Sequence, residues 1–149
     1  MRVHHVITRL ILGGAQENTV LTCEGLHRRG HDVTLVTGPA LGTEGELLSR
    51  ARAGGYRVIV LDDLCREISP GKDGRAYREI RRIIRAEKPE VVHTHSSKAG
   101  IVGRRAAWKE NVPAVFHTIH GLPFHEYQGW FAHPSTASAS DARRNGATG

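Results

Sequence analysis

Cysteine, aromatic residues and long apolar runs are all scarce in this chain, and each scarcity closes a class of explanation. The 149 residues contain two cysteines, Cys23 and Cys65, in unrelated contexts. No disulfide framework follows from that pair, and reduced thiols in the cytoplasm are expected. No apolar run approaches the ~18 residues that a membrane span needs. The opening Met1-Arg2-Val3-His4-His5 leads into a short apolar run without a small-residue cleavage site. It reads as a first strand, not as a secretion signal. A G-x-G-x-x-G fingerprint is missing, and the second strand ends in Thr37-Gly38-Pro39 with no acidic group for a ribose hydroxyl. A nicotinamide dinucleotide is therefore not expected, and no other cofactor is implied. Carboxylates and thiols are lacking around the histidines, so no metal is expected.

What is present is a set of apolar runs that alternate with helix-period segments. Val3–Leu12, Val33–Thr37, Tyr56–Leu61, Val91–Thr94 and Ala114–Ile119 read as strands. They are continuous runs rather than alternating ones, as expected for strands covered on both faces. Between them, Ala15–Arg29, Gly45–Ala53, Arg75–Glu87 and Lys98–Lys109 carry helical spacing, with Leu64–Gly74 read as a loop around Pro70-Gly71. Short connections of this kind predict an α/β fold: a Rossmann-like, doubly wound parallel sheet of order 3-2-1-4-5 with right-handed crossovers. One domain over 1–131 is expected. From Ala132 to Gly149 there is no Val, Ile, Leu, Met, Phe, Trp, Tyr or Cys. That stretch cannot bury enough apolar surface to order itself and is read as a disordered tail.

The chain carries a net charge of +6, which points to an acidic partner. Much of it lies in the predicted helix from Arg75 to Lys88, where six cations alternate with Tyr77, Ile80, Ile83 and Ile84. This reads as an ordinary solvated face or as a surface for anionic lipid headgroups. Nucleic acid is not expected, because no aromatic series interleaves with the basic residues.

Candidate chemistry gathers at the ends of two strands. Val91-Val92-His93-Thr94-His95-Ser96-Ser97-Lys98 and Ala114-Val115-Phe116-His117-Thr118-Ile119-His120-Gly121 both finish in polar residues. The carboxyl ends of parallel strands line the ligand crevice of such folds, and histidine is suited to proton traffic near neutral pH. His120, before Gly121, is the candidate for chemistry. His95, Ser96 and Lys98 suit an anionic ligand at a helix start, while Ser96 or Ser97 also reads as a plain helix cap. Gly13-Gly14, at the mouth of the first helix, reads either as a phosphate cradle or as a simple turn.

Four stretches in order, Gly13–Asn18, Leu26–Thr37, Val91–Gly100 and His117–Phe124, resemble the N-terminal domain of the GT-B retaining glycosyltransferases of family 4. The resemblance covers Met1 to about Phe131. It implies a single N-terminal half of a GT-B fold that holds the acceptor, while a second domain holds a nucleotide-sugar donor. The implied acceptor is a phosphorylated or lipid-linked sugar in a polysaccharide pathway. The implied location is cytoplasmic, with peripheral contact at the inner membrane face. Carried across, Gly13 and Gly14 match the glycine loop near the phosphates. His120 and Gly121 match the active-site His-Gly turn, and Ser96 and Lys98 match the acceptor loop. The family's C-terminal domain, with its donor-binding groups, is expected to be missing. The chain alone is therefore expected to transfer no sugar. Reading the tail two bases later under one permitted choice of codons yields a charged helix, so a frameshift near Phe131–His133 is expected. Phe124, Tyr127, Trp130 and Phe131 are expected to lie partly uncovered, with a marginal fold as the result. A nucleotide-sugar epimerase half, a non-catalytic binding module and a gene remnant are the alternatives.

Overall fold

The computed structural model describes residues 1–40 and 45–120. Gly121, the aromatic residues from Phe124 to Phe131 and the expected tail lie outside them. In chain order the elements are β1 (Arg2–Ile7), α1 (Gly14–Arg28), β2 (Asp32–Thr37), α2 (Gly45–Ala53), β3 (Arg57–Val60), α3 (Pro70–Glu87), β4 (Val91–His95), α4 (Ser97–Lys109) and β5 (Ala114–Thr118). The five strands pair in parallel in the order β3-β2-β1-β4-β5, the order expected from the alternation of runs.

Side chains alternate across each strand, and the two faces bury different partners. Val6, Val36 and Val92 point to the face covered by α3 and α4, where they pack with Ile80, Ile84 and Ala106. Ile7, Val33 and Leu35 point to the other face and pack with Val20, Cys23 and Leu47 of α1 and α2. Leu35 and Val20 show no exposure at all. Burying each such side chain contributes about 1.5–3 kcal/mol. This two-sided burial is why the strands read as continuous apolar runs.

Two boundaries depart from expectation. The first strand stops at Ile7, five residues before Leu12, because the backbone leaves the sheet at Thr8. The Thr8 carbonyl accepts from the Gly38 amide at 3.0 Å, and its own amide donates to the Ser96 hydroxyl at 3.3 Å. Leu10 is buried against the α1 side all the same, and an apolar run reads alike as a strand or as an inward-facing loop. The second departure is α3, which starts at Pro70 and not at Arg75. Pro70 sits in the first helical turn after an extended Ser69. Its fixed φ suits that position, and its missing N–H costs nothing there. Pro70-Gly71 opens the helix and does not end a loop.

No helix among the described residues is long and apolar enough to cross a membrane. Cys23 and Cys65 are both free thiols. Burial pushes the Cys23 thiol up to about 12, which keeps it unreactive.

Candidate functional site

The junction of β4 with α4 organises the carboxyl end of the sheet. Ser96 holds φ 64°, ψ 157°, a region that favours glycine and costs a side-chain-bearing residue about 1–3 kcal/mol. Its hydroxyl lies 2.7 Å from the Thr8 hydroxyl. Thr8 Oγ1 also accepts from the Ala99 amide at 3.3 Å. Ser96 therefore stands at the N-cap of α4 without making a side-chain capping bond. Thr8, from β1's end, supplies the cap from across the sheet.

On the α1 side of the sheet the histidines converge. His93 and His95 are two residues apart on β4 and share one face. His5 lies directly opposite His93 across the β1–β4 pairing. His95 Nε2 is 3.0 Å from His5 Nδ1, and His95 Nδ1 is 3.0 Å from His120 Nε2. His93 Nε2 meets the Thr118 hydroxyl at 2.7 Å. His5 and His95 are fully buried. Burial, then repulsion from neighbouring imidazoles, drops His5 to about 3 and His95 to about 2. His93 and His120 are lowered for the same first reason. At neutral pH the buried members are uncharged, each with one donor and one acceptor nitrogen. His117 sits apart on the α4 face. Its Nδ1 donates to the Thr94 carbonyl at 3.1 Å, and its ring packs where a Gly100 Cβ would otherwise stand.

On the α3–α4 side lies a cleft of about 960 Å³. Among the described residues four cations line it, Arg9, Arg66, Lys98 and Arg105, against the one carboxylate of Asp73. Lys98 Nζ pairs with Asp73 at 2.7 Å and also contacts the Glu67 carbonyl. Arg105 stacks over the Tyr77 ring at 5.4 Å. The apolar part of the lining includes Ile11, Ile68 and Ile101. Ile68 is 91% exposed and Ile101 65%, so apolar surface runs from the cleft to solvent.

The expected site residues divide between these places. His95 and His120 are brought into contact. Lys98 lines the cleft, while Ser96 is engaged with Thr8. Gly13 and Gly14 open α1 and line neither the cleft nor the histidine cluster. A Cβ on Gly13 would meet the Gln16 side chain at 2.8 Å, and Gln16 does reach the cleft. His5 escaped the reading from sequence. The signal was available, because order 3-2-1-4-5 places the first strand beside the fourth. Arg66 and Arg105 were also missed, since isolated arginines in a loop and a helix carry no pattern. The basic face of α3 is largely engaged within the protein. Arg75 pairs with Asp63, Arg82 with Glu79, and Arg81 and Arg85 both with Glu110.

Known proteins share both fold and sequence with this chain. A family model for the glycosyl transferase 4-like domain matches residues 13–146. A UDP-Gal:alpha-D-GlcNAc-diphosphoundecaprenol alpha-1,3-galactosyltransferase of Escherichia coli is 34% identical over 124 residues, or 83% of this chain. The chain spans about a third (31%) of that relative's length. Among solved structures, Acinetobacter baumannii MurG aligns over 81% of this chain and 36% of its own, with a TM-score of 0.60 and 17% identity. A UDP-GlcNAc 2-epimerase from Methanocaldococcus jannaschii aligns over 82% of this chain and 32% of its own, with a TM-score of 0.58 and 18% identity. The structural likenesses are likenesses of fold, and it is the sequence matches that decide the lineage: the chain belongs to the glycosyl transferase 4-like domain family.

Proposed function

We propose that this chain is the acceptor-side half of a retaining glycosyltransferase, passing a sugar from a UDP-sugar to a lipid-linked sugar diphosphate. The observation that carries this reading is the cleft, with cations above apolar walls. A polyprenyl diphosphate acceptor presents adjacent phosphates and a hydrocarbon chain. Arg66, Arg105 and Lys98 suit the phosphates, since guanidinium groups hold them through paired N–H donors. Ile68 and Ile101, exposed beside those cations, suit the first part of the lipid and a peripheral seat on the cytoplasmic membrane face. On the other side of the sheet end, His120 offers a neutral imidazole braced by His95. That group hydrogen-bonds a sugar hydroxyl without adding charge. The backbone of Gly13-Gly14 approaches donor or acceptor phosphates at the start of α1. In this reading a second domain holds the donor diphosphate, so these 149 residues by themselves bind acceptor and transfer nothing. An epimerase half shares the fold but has no use for the exposed isoleucines.

Titration calorimetry tests this with a short-chain polyprenyl-diphosphate-GlcNAc and with UDP-galactose. The acceptor analogue binds, and Arg66→Ala or Arg105→Ala weakens it about tenfold each, the worth of one hydrogen bond to a charged group. Tighter binding of UDP-galactose than of the acceptor, or sugar transfer by this chain alone, overturns the reading.

A further inference from the structure

We propose that His5, His93 and His95 form a binding site for a divalent transition cation of the zinc class. One ring nitrogen from each of the three lies within 4.8 Å of the others. Zinc–imidazole bonds of about 2.0–2.1 Å place tetrahedral ligand nitrogens roughly 3.4 Å apart. His5 Nδ1 and His95 Nε2, 3.0 Å apart, open slightly to reach that spacing, and the His93 ring turns to complete the set. The backbone needs no change, because the β1–β4 register already sets His5 against His93.

The surroundings suit ligation. Metal-bound imidazoles use their second nitrogen to hold an outer partner, which fixes the ring. His93 Nε2 meets the Thr118 hydroxyl at 2.7 Å and His95 Nδ1 meets His120 at 3.0 Å, leaving the opposite nitrogen of each for a cation. Only one proton can lie between His95 Nε2 and His5 Nδ1, and a cation takes its place. His5 Nε2 is buried without a hydrogen-bond partner among the described residues, in a residue with zero exposure. With Nδ1 on the cation, this nitrogen is the one second position among the three rings without the kind of outer partner that Thr118 and His120 provide. His93 is only partly buried and provides the way in. Three neutral ligands leave a fourth position open to water or an anion. Imidazole favours zinc, cobalt, nickel and copper over magnesium and calcium.

The test uses the tag-free 149-residue chain, stripped of metal and titrated with Co²⁺. One equivalent produces the visible band of tetrahedral cobalt, which Zn²⁺ displaces and Mg²⁺ does not. Competition with a chromophoric chelator then gives the zinc affinity. His93→Asn and His95→Asn each weaken it by roughly ten- to a hundredfold, while His31→Asn leaves it unchanged. Circular dichroism confirms that each variant is folded. Long-range ¹H–¹⁵N spectra of the unaltered chain give a readout that needs no variant: Zn²⁺ shifts the ring nitrogens of His5, His93 and His95. No cobalt band, zinc affinity unchanged in His93→Asn and His95→Asn, or ring shifts confined to other histidines overturns the proposal.

Discussion

Replacing Gly38 with alanine tests the clasp that joins three loops at the carboxyl end of the sheet. Glycine-to-alanine changes often stabilise a protein by about 0.4–1 kcal/mol, because the unfolded chain loses freedom. Gly38 should do the reverse. A Cβ built there stands 1.9 Å from the Leu64 carbonyl oxygen and 2.4 Å from that of Thr8. Heavy atoms rest at about 3.5 Å, so one backbone carbonyl must retreat by about 1.5 Å. Neither obstacle is a flexible side-chain tip. Leu64 is fully buried, and the Thr8 carbonyl accepts the Gly38 amide at 3.0 Å. Overpacking costs about 1–3 kcal/mol, and loss of that hydrogen bond adds about 1 kcal/mol. The expected loss is about 2–4 kcal/mol, a large part of the 5–15 kcal/mol typical of a domain. Gly25→Ala, in α1 with no atom of the described residues within 4 Å of the added Cβ, is the control and should gain about 0.5–1 kcal/mol. Urea denaturation of both variants measures the pair. A Gly38→Ala protein as stable as the parent would refute the packing argument. The same substitution should also weaken acceptor binding, since Thr8 lines the cleft.

Other substitutions separate causes that the structure places together. Ser96→Ala loses the bond to Thr8, worth about 1 kcal/mol, and retains the strain of φ 64°. Ser96→Gly loses the same bond and relieves strain of about 1–3 kcal/mol. The glycine variant should therefore be the more stable of the two in denaturant, and the opposite order would remove strain from the account. Glu110 bears on acid stability. Arg85 and then Arg81 hold its carboxyl down from 4.5 to about 2. A depressed folded-state value stabilises above the unfolded value and is lost as pH falls through the folded one. The window is thus about pH 4.5 to 2. Glu110→Gln should shrink the difference in urea midpoint between about pH 7 and pH 3; an undiminished difference would count against the pairing.

Much of the fold is written locally. Apolar β-branched runs, helix-period segments and the glycines between them were enough for five parallel strands in the right order, because each signal depends on neighbours within one turn or one strand. Gly30, at φ 82° after α1, and Pro89 after α3 act in the same local way. Val3–Leu12 and Pro70-Gly71 misled for a physical reason. Burial of Leu10 does not require a strand, and proline suits the first turn of a helix as well as it suits a loop.

The site was legible only in part. His95, Lys98 and His120 could be named because they end strands or begin a helix, and topology sends such positions to one edge. The sequence by itself determined the sheet, its order and which strand ends carry histidine. Only the tertiary structure decided that His5 joins His93 and His95 and that Thr8 caps α4. It also decided that Arg66 and Arg105 share a cleft with Lys98. The first two join residues 88 to 91 positions apart. They are set by strand register and helix packing, which no local pattern encodes.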